Sequence, residues 1–161
     1  MYLFLVLAVV TMVELLLLAR MDLKERKVYS FPVLMMSLSW LSYLLSTGEY
    51  KWQFLLSFAA LNMSVWFLFN RFKLWGAGDS DMFLVLSNIL LAVVGPCSGS
   101  KILFLESIAL IVVMLSAMFF GYIESKVKKE KLNLHSQVAV VPGFAFVICG
   151  LLVMGVFGRI N

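Results

Sequence analysis

Charge is scarce in this 161-residue chain: Asp, Glu, Lys and Arg make up only 14% of it, against about 25% in an ordinary soluble domain. Apolar residues fill the gap at 63%, where about 45 to 50% is usual. So short a chain has too little interior to hide that excess, and the surplus must face lipid. A soluble globular domain is excluded; the expectation is an all-α integral membrane protein, one domain over residues 1–161. Cysteine and histidine are also scarce. Cys97 follows the Gly95-Pro96 turn and Cys149 lies inside an apolar run, far from it in sequence, so neither a disulfide framework nor a metal site is indicated. The one histidine, His135, sits in a basic loop without ligand-like neighbours. No cofactor is expected. No basic segment precedes the first apolar run and its positive charges follow it, which reads as an anchor inserting N-terminus first rather than a cleaved signal peptide. Internal repeats, low-complexity stretches and linkers are also lacking.

What is present is a series of six apolar runs: Tyr2–Ala19, Phe31–Leu45, Trp52–Asn70, Met82–Gly95, Ile102–Tyr122 and Val138–Gly158. A helix needs about 20 residues to cross a bilayer, so the second and fourth need flanking residues to complete them. The expected architecture is a bundle of six transmembrane helices. Charge in the connecting segments tests that reading independently. Arg20, Lys24, Arg26 and Lys27 follow span one, Arg71 and Lys73 follow span three, and Lys126, Lys128, Lys129 and Lys131 follow span five. Together they are ten of the thirteen basic residues. Lys51, Lys101 and Arg159 fall in the opposite set. The positive-inside rule then puts the three basic loops in the cytoplasm and both termini outside, in the cell (inner) membrane. The net charge of +4 reads as topology, not as a nucleic-acid surface, because the basic residues cluster between apolar runs.

Ionisable side chains at membrane depth cost roughly 2.5 to 3.5 kcal/mol each at mid-bilayer, so each needs a reason. Five acids stand out: Glu14, Asp22, Asp79, Asp81 and Glu106. Asp22 lies just past span one and Asp79 just before span four, both at a cytoplasmic boundary, so two carboxylates from separate helices can meet at one depth. Asp79 closes Trp75-Gly76-Ala77-Gly78-Asp79, directly ahead of an apolar helix. The two glycines remove side-chain bulk and permit unusual backbone angles, so an extended polypeptide could approach the carboxylate. Gly76 and Gly78 are therefore candidate substrate-binding positions. Blander roles compete: a solvated acid balancing Arg20 and Lys24 for Asp22, a helix N-cap for Asp79. Glu14 and Glu106 are expected to pair with polar groups on facing helices, Lys126 to Lys131 to serve topology and anionic lipid, and Pro142-Gly143 to kink span six.

Gly76-Ala77-Gly78-Asp79 resembles the GxGD signature of the membrane aspartyl proteases that include type IV prepilin peptidases, archaeal preflagellin peptidases and, more remotely, presenilin. The segment from Asp22 to Val28 resembles that family's first aspartate, which follows span one and precedes a short basic loop and an aliphatic residue. The six-span layout is also similar. Departures mark a divergent subgroup: Tyr29 and Asp81 stand where many bacterial relatives carry Pro and Lys. The four-cysteine insertion that many bacterial members place after span one, together with their methylation of the new N-terminus, has no counterpart here. The resemblance implies a membrane aspartyl endopeptidase without methyltransferase activity, with Asp22 and Asp79 catalytic and a prepilin-like substrate whose short basic leader is removed at the cytoplasmic face.

Two carboxylates close together in a partly desolvated site cannot both ionise easily, so they share a proton. One then activates water and the other, protonated, polarises the scissile carbonyl. A different class of function is compatible with intramembrane acids: a non-catalytic polytopic subunit or a small proton- or ion-coupled transporter, although no inverted repeat supports transport.

Overall fold

The computed structural model describes residues 2–72, 76–128 and 139–160. The described residues form six helices: α1 Tyr2–Glu25, α2 Ser30–Thr47, α3 Trp52–Arg71, α4 Ala77–Val94, α5 Gly99–Lys128 and α6 Val141–Ile160. Lys73, Leu74, Trp75 and the segment 129–138, with Lys129, Lys131 and His135, lie outside the described residues. Each expected apolar run corresponds to one helix, but α1 continues past Ala19 to Glu25. Asp22 therefore sits on the last turn of α1 instead of in a loop beyond it.

Local chemistry accounts for the boundaries. α1 stops at Arg26, whose φ of +53° is left-handed. Its N–H donates to the Asp22 carbonyl at 3.0 Å and closes the final turn. Pro32 and Pro142 both fall in first turns, of α2 and α6, where a missing N–H breaks no helical hydrogen bond. Pro142 thus begins α6 and does not kink it. Gly48, with φ of +64°, ends α2 in the left-handed conformation that glycine adopts without steric penalty.

Four helices, α1, α3, α5 and α6, are long and apolar enough to cross a membrane. α2 and α4 are 18 residues each, slightly under the length of a full crossing. α4 is the central element. From Ser80 to Ala92 every residue is buried except the half-buried Asn88, and the helix packs against α2, α3, α5 and α6 while α1 lies against α6 and α2. A helix apolar on all sides belongs inside a bundle. The outer helices show their apolar residues outward, among them Val6, Leu16 and Leu17 on α1 and Ile111, Leu115 and Phe119 on α5. In water such surface would be unfavourable; against lipid it is matched.

Polar side chains tie the helices at intervals. Trp40 on α2 donates to the Thr11 hydroxyl on α1 at 2.9 Å, Asn88 on α4 donates to Ser37 on α2 at 3.0 Å, and Arg159 on α6 donates to the Ala92 carbonyl of α4 at 2.9 Å. α5 and α6 approach closely at Gly143. A Cβ there would lie 2.6 Å from the Val113 carbonyl oxygen and 2.9 Å from the Ala117 nitrogen, so only glycine admits this crossing.

Candidate active site

Asp22 and Asp79 arrive from opposite chain directions, one at the end of α1 and one in the first turn of α4. The two blander roles considered for them were solvation for Asp22 and capping for Asp79. Asp22 is only 6% exposed and is not solvated. Its Oδ2 accepts the backbone N–H of Val141 at 3.1 Å, the first residue of α6. A carboxylate at the C-terminal end of its own helix is poorly placed, and the positive end of α6 offsets that.

Asp79 does act at a helix start. It is the third residue of α4, and its carboxyl folds back over the N-cap Gly76, so that Oδ2 lies 3.1 Å from where a Gly76 Cβ would stand. This is the reach-back of a capping box made by an aspartate. Asp79 precedes the apolar run that begins at Met82 and is half-buried. Its pKa is pushed up from 3.8 to about 6, first by burial and then by the negative charge of Asp22, against a smaller lowering by the Gly76 N–H. The fold therefore brings the two aspartates near enough to sense each other's charge.

Gly78 explains how they are held. A Cβ at Gly78 would lie 2.5 Å from Val28 Cβ and 3.1 Å from the Val28 carbonyl oxygen. The space left open at Gly78 is filled by this chain's own loop, the extended segment that follows Asp22. Gly76, by contrast, is exposed. The loop is fixed from its other side by Arg26, which pairs with Glu124 on α5 at 2.6 Å. The basic-loop pattern accounts for Arg26 by topology alone and carries no sign of this clamp; nothing in the local sequence of α5 singles out Glu124 as its partner.

Two residues of roughly 100° each put Asp81 on the side of α4 away from Asp79, where headgroups or loop would be expected, but it faces neither. It is 3% exposed and its Oδ1 accepts the Trp66 indole N–H of α3 at 2.8 Å. The reason is that α4 is enclosed from Ser80 onward, so no side of it reaches water there. Trp66 is thus a hydrogen-bond donor as well as a packing residue. Tyr29, the other departure from the family pattern, is exposed.

Glu106 is buried deeper, on α5, where Asn62 of α3 donates to its Oε1 at 3.3 Å; this is the helix-to-helix pairing expected of it. Glu14 is half-buried on α1 with no hydrogen-bond partner among the described residues. Cys97 and Cys149 are free thiols. Among the described residues no three His, Cys, Asp or Glu side chains converge as a metal site. In comparisons with known proteins the chain matches no family model, no curated protein and no solved structure.

Proposed function

We propose that this chain is a membrane aspartyl endopeptidase of the prepilin-peptidase kind, with Asp22 and Asp79 as its catalytic pair. The observation that carries the reading is that the segments bearing two acids far apart in sequence are packed together at the Val28–Gly78 contact, near enough for the charge of Asp22 to raise the pKa of Asp79. Two carboxyls with purely structural roles gain nothing from lying within reach of each other's charge.

In the proposed reaction the pair holds one proton between them. The ionised carboxylate accepts a proton from water as the water oxygen attacks the scissile carbonyl. The protonated partner donates a hydrogen bond to that carbonyl oxygen. On collapse the C–N bond breaks, a proton passes to the leaving amine, and the pair returns to its starting state. The exposed backbone at Gly76 gives an extended substrate a place to lie beside Asp79, and Gly78 maintains the distance between the two acid-bearing segments. All six helices span the cell membrane in this reading, with both termini outside and the aspartates at the cytoplasmic face beside the basic loops. The substrate is a prepilin-like protein with a short basic leader ahead of an apolar helix. The new N-terminus leaves unmethylated.

The decisive experiment is cleavage of such a substrate by purified protein in detergent. Wild-type cleavage abolished by either Asp→Asn change supports the reading; a folded wild type inert toward every prepilin-like substrate tried overturns it. A second reading, a proton- or ion-coupled transporter, is favoured by one observation, the buried Glu106 with Asn62 on the facing helix. It predicts solute uptake into proteoliposomes that depends on Glu106 and is indifferent to Asp79.

A further inference from the structure

An apolar groove of about 1230 Å³ runs between α1 and α5 with α6 as its floor, and neither aspartate lines it. Its walls include Leu16, Ile108 and Val112, and its floor includes Ala145 and Phe146. Its charged lining residues are Arg20 and Lys24 of α1. They are spaced i, i+4 and so share one side of the helix. Both are exposed, and among the described residues neither is in an ion pair.

The groove's length points to its occupant. Its floor extends along α6 from Pro142 to Met154, about 18 Å at the helical rise, close to the roughly 15 Å of one leaflet's hydrocarbon. A membrane-spanning helix would need about twice that, whereas an acyl chain needs no more. The two cations lie on the turn of α1 around Asp22, near the start of α6 and so at one end of the groove.

We propose that the groove binds an anionic phospholipid, with an acyl chain along α6 and the phosphate between Arg20 and Lys24. Any bundle in a bilayer is coated by lipid, so the content of the proposal is selectivity: charge at one end of an apolar slot distinguishes anionic from zwitterionic headgroups. The assignment is independent of the protease reading, since binding is read without cleavage.

The test is native mass spectrometry of the full chain released from nanodiscs containing equimolar phosphatidylglycerol and phosphatidylcholine. The expected result is one retained phosphatidylglycerol, favoured over phosphatidylcholine by about fivefold or more, as two interfacial cations imply. In Arg20→Gln/Lys24→Gln the preference falls to parity. In Gly150→Phe, where a new side chain has open space within 4 Å and projects into the groove, the retained lipid is lost. Equal retention of the two lipids by the wild type overturns the proposal, as does a preference undiminished in both variants. Stoichiometric displacement of the lipid by an added apolar helical peptide would reassign the groove to a polypeptide and overturn it as well.

Discussion

The buried acids fall into two groups that are satisfied differently. Asp81 and Glu106 each meet a side-chain donor from α3, the Trp66 indole at 2.8 Å and the Asn62 amide at 3.3 Å. Asp22, at the end of α1, instead accepts the first N–H of α6, and Asp79, in the first turn of α4, has its pKa raised in part by the charge of Asp22. A neutral donor supplied by a packed side chain stabilises a carboxyl where it stands. Two carboxyls set against each other keep a repulsion that only a proton removes. The first arrangement fastens helices together; in the proposed function the second supplies the shared proton.

The largest effect should separate the groups directly. Asp22→Asn and Asp79→Asn should each lower prepilin cleavage by about a hundredfold or more, the scale of losing acid–base catalysis, with the protein still inserted. Asp81→Asn should retain most activity, since Trp66 can donate to an amide oxygen as well. Cleavage at matched membrane abundance decides it, and an inactive Asp81→Asn beside an active Asp79→Asn would reverse the assignment.

Next in size is the contact between the segments that carry Asp22 and Asp79. Gly78→Ala would force a Cβ to within 2.5 Å of Val28 Cβ, which should destabilise the fold by roughly 1 to 3 kcal/mol and reduce cleavage. Adding Val28→Gly should recover part of both. Failure of the second change to restore anything would show that Gly78 is required for another reason, such as substrate contact.

Removing the donor from the structural group should cost stability and spare chemistry. Trp66→Phe leaves the Asp81 carboxyl without its indole partner, at about 1 to 3 kcal/mol. Thermal unfolding in detergent would show the loss while cleavage per folded molecule stays near wild type. A large fall in specific activity would place Asp81 in the reaction after all.

The smallest effect is one of pH. Because the folded pKa of Asp79 is about 6 against an ordinary 3.8, the folded state holds a proton through that interval that the unfolded chain releases. Stability should therefore fall as pH rises from about 4 to 6 and stay reduced above it. Asp79→Asn should melt higher than wild type at pH 8, and the gap should narrow as pH falls and close near pH 4. Cleavage should decline above pH 6 as the shared proton is lost. A melting difference independent of pH would mean that Asp79 carries no raised pKa.

Much of the fold was legible in the sequence. Hydropathy marked six runs, and six helices follow them, because apolar surface that cannot be hidden in water leaves helix-forming segments little choice. The extent of α1 was not legible: polar residues from Arg20 to Glu25 look like loop by hydropathy, yet they are good helix formers that continue the turn until Arg26 adopts positive φ. For the site, the GxGD pattern and Asp22 were visible as residue types at matching boundaries. The Val28–Gly78 contact, the Arg26–Glu124 pair and the Trp66–Asp81 bond were not, since each joins residues on different helices whose rotation about their axes hydropathy leaves open.

Sequence alone determined that the chain is helical and belongs against lipid, because composition and run length act locally and need no partner. It also determined that two acids stand at the ends of two separate apolar runs. Only the tertiary structure decided that those acids come near enough for the charge of Asp22 to act on Asp79, that α4 rather than a more hydrophobic helix forms the centre, and that Asp81 turns into the protein. Those outcomes depend on which sides of six helices meet, and that is set by the sum of many close contacts, among them Gly78 on Val28 and Gly143 on α5, none of which any one segment specifies by itself.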